Sequence, residues 1–475
     1  MQEELNEFPD LKKPALLFFL LVPLLVLVFR SLLGYSGLYG QDAHAYLRYS
    51  DSLLDFLKYG ERPGDFTWPV LYPLLGAVPA LALGKADLAL QLLSMLAFSG
   101  SLYFIYRTIS LLCSKNGALL FTLLFCLPSS YFLRMGVNVM SDMTAIFFCT
   151  ACIFHALAFS MDKHKRHIIP AICFALAARL TREASVIVLC IPMVAFAMQL
   201  ARNFYGWRFF IAIAISAGLA FLVRWLNPNY TMIRSNLFDE WSPSNFFLLE
   251  YGSPGNGFLH YHLPNLLFVF TVFFHPGYLL LSAPLLFFIR KEDFSRPQLF
   301  FFLLPLLIYL FFLAGFEHQN ARLNAFIFPS LAVLFFPAFM RAMSKLKRKF
   351  QWIIFSLAGV MQLTLFYFAF DDFLFANREE KAIVAYINEH YPSAPVYTLG
   401  MEGPLMSYGK DHIILSLDSV DVQLGMNAVV LVNIPVMEVQ WKDRRPMKNW
   451  KMLQDSCNAK KVMSFDKGWE LYEIH

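Results

Sequence analysis

LYGQDAHAYLRYSDSLLDFLKYGERPGDFTWPVLYPLL, residues 38–75, follows the first hydrophobic run of the chain almost at once. Asp42 is therefore expected within a turn or two of a membrane surface, beside His44, Tyr46 and Arg48. A carboxylate held at a lipid–water boundary is a candidate for proton transfer. It would serve equally well as a cap for a helix starting near Ala43, because Asp at such a position satisfies free backbone N–H groups. Further on, Pro69 and Pro73 bracket Tyr72, and the segment is too polar at its start and too broken by proline to be an ordinary span. It reads as a helix lying on a membrane.

Composition names the solvent. Of 475 residues, 58% are hydrophobic and 15% charged, with 51 phenylalanines, whereas soluble domains carry about a quarter charged residues. The chain is therefore a polytopic membrane protein. The net charge of +5 needs no nucleic acid to explain it, since membrane proteins gather Lys and Arg in cytoplasmic loops. Cys113, Cys126, Cys149, Cys152, Cys173 and Cys190 lie in or beside apolar runs, and only Cys457 lies in the polar tail. A disulfide framework is not expected, and no cysteine pair suggests zinc. The first apolar run lacks a small-residue cleavage site, which makes it a retained span.

Apolar runs fall near 14–33, 87–110, 117–133, 143–160, 168–179, 184–200, 209–226, 264–289, 298–315, 322–340 and 351–370. At about 20 residues per crossing, the expected fold is α-helical and polytopic with about eleven transmembrane helices. With the N-terminus cytoplasmic, the inside loops carry Lys115; Lys163, Lys165 and Arg166; Arg202 and Arg208; Arg290, Lys291 and Arg296; and Arg341, Lys345, Lys347, Arg348 and Lys349. Every strongly basic connection then shares one face. A span over 69–84 would turn that pattern inside out. The membrane part is expected over 1–370, with an external loop at 34–86. From 371 the composition changes: a helical pattern at 377–390 and short strand patterns at 396–399, 413–417, 428–432 and 462–465 predict an external α/β domain over 371–475.

The external face receives several polar turns. RMGVNVMSDMTAIFF, residues 134–148, offers Arg134 and, at the head of the next helix, Asp142. Asp142 is either a cap favoured by the helix dipole or a second active-site acid. In AARLTREAS, residues 177–185, Arg179, Arg182 and Glu183 interrupt a long apolar stretch. Ionisable groups at membrane depth are costly unless paired or functional, so a structural Arg–Glu or Arg–Asp pair stands beside anion binding. EHQNAR, residues 317–322, places His318 and Arg322 between two hydrophobic spans, and the arginine fork suits phosphate oxygens. The glycine-rich 251–257 turn lacks the context of a P-loop, and no H-E-x-x-H pattern suggests a metal.

An acid just after the first span, an amphipathic stretch, a glycine turn and the Pro-x-x-Tyr-Pro-Leu-Leu run, followed in order by these polar turns, resemble the GT-C membrane glycosyltransferases. The nearest branch is that of the protein O-mannosyltransferases and the lipid A aminoarabinose transferase. One departure is Asp42-Ala43, where many members carry Asp-Glu. The resemblance implies a GT-C-like fold and an inverting enzyme. Such an enzyme moves a sugar from a polyprenyl-phosphate donor to a hydroxyl on a lipid, glycan or protein, on the non-cytoplasmic face. It implies Asp42 as catalytic base, with Arg179, Arg182, His318 and Arg322 on the donor phosphate. Asp142, Arg134, His44 and Tyr72 are expected on the acceptor side, Asp142 as a second acid. No cofactor is implied; a divalent metal is possible but not expected, and no nucleic acid is. The expected location is the bacterial inner membrane, with the C-terminal domain external. The alternatives are a flippase or transporter for a lipid-linked saccharide, and a non-catalytic scaffold. Against a transporter, no inverted repeat is visible.

Overall fold

A computed structural model describes residues 14–113, 115–202, 206–226, 241–253, 257–295, 297–409, 412–419 and 428–474. Residues 1–13, Arg296 and the Gly255 and Asn256 part of the glycine-rich turn lie outside the described residues. Along the chain the helices are α1 (Pro14–Leu25), α2 (Gly40–Tyr59), α3 (Leu71–Leu83), α4 (Ala86–Leu112), α5 (Lys115–Phe121), α6 (Ser130–Val137), α7 (Ser141–Asp162), α8 (Ile168–Thr181), α9 (Ser185–Arg202), α10 (Gly206–Leu226), α11 (Asn265–Phe274), α12 (Ser282–Leu286), α13 (Phe300–Ala314), α14 (Ala321–Asn324), α15 (Phe328–Ser344) and α16 (Arg348–His390). The chain divides into two compact units. One takes Met1–Gly37, Tyr49–Phe247 and Asn265–Asp371; the other takes Leu38–Arg48, Leu248–Pro264 and Asp372–His475.

The first unit is helical because hydrocarbon offers no partner to a bare backbone, so each N–H and C=O must be met within the protein. Its centre is α7 and the Ala321–Ser344 stretch, each with 78% of its apolar window buried. At its edge lie Pro14–Leu32 and α16, with 22% buried; exposed side chains such as Phe19, Leu363 and Phe368 form the surface that lipid covers. Among the described residues, five helices are long and apolar enough to cross a membrane, and a bent pair makes a sixth. The chain is an integral multi-pass protein, while the count of eleven crossings rests on the apolar runs alone.

Two expected spans are not single helices. The run at 117–133 breaks after Cys126, and Gly117–Cys126 and Ser130–Val137 meet at 77°. The run at 264–289 becomes α11 and the short α12, with a turn through His275, Pro276 and Gly277. Proline supplies no N–H and crowds the preceding turn, and Pro128 and Pro276 stand at the two breaks. The breaks meet each other: the Gly277 carbonyl accepts the Tyr131 N–H at 3.0 Å and the Ser129 hydroxyl at 3.1 Å. Helix α3, with 13 residues, reaches about 20 Å, short of the roughly 30 Å of hydrocarbon. It packs on α4 through buried Tyr72, Pro73 and Ala77.

The link from the first span towards Asp42 is pinned rather than loose. Gln91 of α4 donates to the carbonyls of Tyr35 (3.1 Å) and Val137 (3.2 Å), and Arg30 pairs with Asp87. Gly37 lies against Gln91 with φ +81°, where a side chain would be both strained and within 3.0 Å of the amide. Glycine is required there.

The second unit is built on a five-stranded sheet. Counting the hairpin β1 (Glu250–Ser253) and β2 (Gly257–His260) first, its strands are β3 (Val396–Thr398), β4 (Ile414–Ser416), β5 (Ala428–Asn433), β6 (Lys460–Ser464) and β7 (Trp469–Ile474), in the order β4-β3-β5-β7-β6. The first three run parallel, and β7 and β6 antiparallel to their neighbours. All six residues of β5 are buried, as a strand covered on both faces requires. Alternation sends Val430 and Val432 to one core with Trp441 and Trp450, and Val429 and Leu431 to another with Ile383 and Leu405. The helices are the end of α16, α17 (Glu402–Tyr408), α18 (Ile434–Gln440) and α19 (Arg445–Ser456). The four expected strands are present; β7 and the last three helices were not expected.

Candidate active site

Three breaks of the first unit, far apart in sequence, deliver charge to one place. Asp142 opens α7, where a carboxylate is favoured by the helix dipole. Arg182 ends α8 in an extended conformation (φ −159°, ψ 134°), so the chain turns sharply before α9. Arg322 sits in the short helix α14, held by its cap Asn320, whose side-chain oxygen accepts the Arg322 N–H at 3.0 Å. Arg182 Nε lies 2.9 Å from Asp142 Oδ1, and Arg322 Nε 3.5 Å from Oδ2. These contacts set charge against charge without hydrogen-bond alignment.

The burial is uneven. The Asp142 side chain is 1% exposed, while those of Arg182 and Arg322 are 21% and 20% exposed. The carboxylate is sealed beneath two guanidinium groups whose outer parts remain accessible. Two permanently charged arginines thus converge on one acid. Arg182 Nη1 also reaches the Ser141 hydroxyl at 3.5 Å. Arg179, in the same turn, pairs with Glu183 at 3.4 Å and adds no net charge. Chemically, this is a site for an anion with planar, forked oxygens.

Tyr309 of α13 is fully buried within electrostatic reach of Asp142, Arg182 and Arg322, and its hydroxyl has no hydrogen-bond partner among the described residues. Sequence reasoning passed over it. The only signal for Tyr309 was one hydroxyl in the span FFFLLPLLIYLFFLA.

The remaining candidates are spread more widely. Arg134 closes α6 and lies over the Tyr131 ring at 5.9 Å; Tyr131 in turn stacks on His275. His318 is half-buried in the turn after α13, next to Gln319, which bonds Asn265 at 2.8 Å. Tyr72, expected to face an acceptor, is instead fully buried, with its hydroxyl bonded to Ser94 at 2.9 Å. The buried, small-residue face of α3 draws it inwards.

Asp42 and His44 belong to the second unit. Asp42 lies in the first turn of α2 and is half-buried. His44, also expected on the acceptor side, is fully buried: its Nδ1 meets the Ser407 hydroxyl at 2.8 Å and its Nε2 lies 3.7 Å from Glu380. Gln41 donates to the Gly400 carbonyl at 2.6 Å and accepts the Gly403 N–H at 3.0 Å. The front of α2 is thus stitched to α17, and Asp42 rides on a fixed support. Among the described residues, no group of three or more His, Cys, Asp or Glu side chains is gathered as a metal would need.

The fold is similar to two crystal structures of ArnT from Cupriavidus metallidurans. The apo structure has a TM-score of 0.60 at 13% identity, covering 97% of this chain and 97% of that one. The structure bound to undecaprenyl phosphate has the same score and identity and covers 98% of both. No protein-family profile matches the sequence, and no curated protein does. At this identity the likeness is one of fold alone.

Proposed function

We propose that this protein is an inverting GT-C glycosyltransferase, nearest to the aminoarabinose transferase branch, that moves a sugar from polyprenyl phosphate to a hydroxyl acceptor. The observation that carries the reading is the pairing of one sealed carboxylate, Asp142, with two accessible arginines, Arg182 and Arg322. A similar fold that binds undecaprenyl phosphate supports it.

In this reaction Asp42 takes the proton of the acceptor hydroxyl as that oxygen attacks the anomeric carbon. The bond from that carbon to the phosphate oxygen breaks, the electron pair leaves with the phosphate, and the configuration inverts. Arg182 and Arg322, with Arg179 and His318 near them in sequence, hold the departing phosphate, whose charge grows in the transition state. Asp142 positions the two arginines, and Arg134 stands on the acceptor side. The reaction takes place on the non-cytoplasmic face of a bacterial inner membrane, with about eleven crossings and no metal required.

Purified protein in nanodiscs, given polyprenyl-phosphate sugars, tests this directly. The Asp42→Asn variant should fold as the parent does and turn over about 10²–10⁴-fold more slowly, the usual worth of a general base. Undiminished turnover would sink the assignment. The paired helix breaks at Gly277 are the feature that a transporter would share; a transporter would move lipid-linked sugar across vesicles with Asp42→Asn as well as without it.

A further inference from the structure

Within the second unit, the carboxyl ends of the three parallel strands open on a cavity of about 450 Å³. Leu399 and Gly400 follow β3, Ser416 ends β4 and Asp418 follows it, and Asn433 ends β5; all line the cavity. In the order β4-β3-β5 the chain leaves β3 to one side and returns on the other. A crevice opens where the direction reverses, and ligands of open α/β sheets bind in that crevice. The volume falls within the roughly 300–1,000 Å³ of small-molecule sites.

The polar groups of this cavity are of two kinds. Some are used up in holding the wall. Glu402 accepts the Gly400 N–H at 2.7 Å and the Ser416 hydroxyl at 3.0 Å, and Asn433 donates to the Lys467 carbonyl at 3.0 Å. Others are uncommitted. The Asp418 carboxylate, the Gln440 amide and the indole N–H groups of Trp441 and Trp469 make no hydrogen bond to any described residue. The partly exposed Trp469 indole gives a broad apolar face with a donor at its edge, and the core residue Trp441 contributes its rim. A carboxylate and an amide beside them accept and donate in pairs. Two acids and, among the described residues, no Lys, Arg or His line the space, so phosphates and carboxylates are repelled.

We propose that this cavity binds a saccharide, neutral or amino-bearing, whose C–H face rests on indole and whose hydroxyls meet Asp418 and Gln440. Naming that saccharide as part of the acceptor rests on the transferase reading; the binding itself does not.

The full chain in nanodiscs should be applied to a glycan array holding neutral, amino-bearing and acidic saccharides, with calorimetry on the hits. Neutral or amino-bearing saccharides should bind and acidic ones should not. Asp418→Asn should weaken binding about tenfold, as loss of a hydrogen bond to a charged group does, at an unchanged melting temperature. Trp469→Ala should weaken it further, and Trp469→Phe should restore part. Asp42→Asn should bind as the parent does, so failure of the transfer chemistry and failure of this site are told apart. No binding across the array, a preference for acidic saccharides, or binding that survives both Asp418→Asn and Trp469→Ala overturns the proposal.

Discussion

The charged cluster of the first unit and the cavity of the second handle acids in opposite ways. Asp142 is sealed and spent: both its oxygens face guanidinium groups, and its value lies in where it puts them. Among the described residues, Asp418 has no side-chain partner and no cation lines the cavity it faces. A buried charge in an apolar surround has to be matched on the spot, because its desolvation is otherwise unrecovered. A half-exposed one keeps its water until a ligand replaces it. The first arrangement fixes two guanidinium forks in one place; the second leaves a hydrogen-bond acceptor for a hydroxyl.

The same substitution at the two sites is the sharpest way to break this contrast. Asp142→Asn strands two guanidinium groups and should cost about 3–5 kcal/mol of stability, the usual result of removing one partner from a buried pair. Asp418→Asn should leave stability unchanged. Thermal or denaturant unfolding in detergent measures both, and equal shifts would erase the distinction. A medium effect is expected at Arg322. Arg322→Lys keeps the charge but loses the fork, and should weaken binding of polyprenyl phosphate about tenfold, or about 1.4 kcal/mol. Native mass spectrometry with the lipid reads this out, and unaltered affinity would mean that charge alone suffices.

The smallest effect concerns Glu379, in the second unit beyond the apolar part of α16. Burial, with the neighbouring Asp466 adding to it, pushes this carboxyl up to about 7 from its ordinary 4.5. The folded state thus favours the protonated form. The stability this contributes is complete below pH 4.5 and is lost as the pH rises through about 7. Glu379→Gln should melt with the parent at the acid end and above it at pH 8. A parent whose melting temperature is flat from pH 4.5 to 8 would remove the effect.

Much of this was legible in the chain because lipid is a demanding solvent. Long apolar runs must be helical in it, and charges such as Arg182 and Asp142 stand out against them. The turns carrying Asp142, Arg182 and Arg322 were expected on one face, and their side chains do meet. What the pattern hid is equally physical. Hydropathy reads apolar length and is blind to a bend, so the breaks at Pro128 and Pro276 looked like continuous spans. His44 and Tyr72 carry chemistry in their side chains, but whether a residue faces a substrate or its own core depends on neighbours hundreds of positions away, such as Ser407 for His44. Strand β7, WELYEI, escaped because its glutamates interrupt a strand that buries Leu471 on one face and Tyr472 and Ile474 on the other. The saccharide cavity was invisible for a different reason: its lining comes from strand ends, and the order of strands in a sheet is not written locally.

The carbonyl of Gly277 sets a schedule for making this protein. It receives the backbone and side-chain donors of Ser129 and Tyr131, and 148 positions separate it from Ser129. When the ribosome has completed the bend at residues 127–130, its acceptor has not yet been synthesised. A bare N–H in hydrocarbon costs several kcal/mol. The early half therefore carries donors whose acceptor is made only 148 residues later, and the two interruptions are completed as a pair.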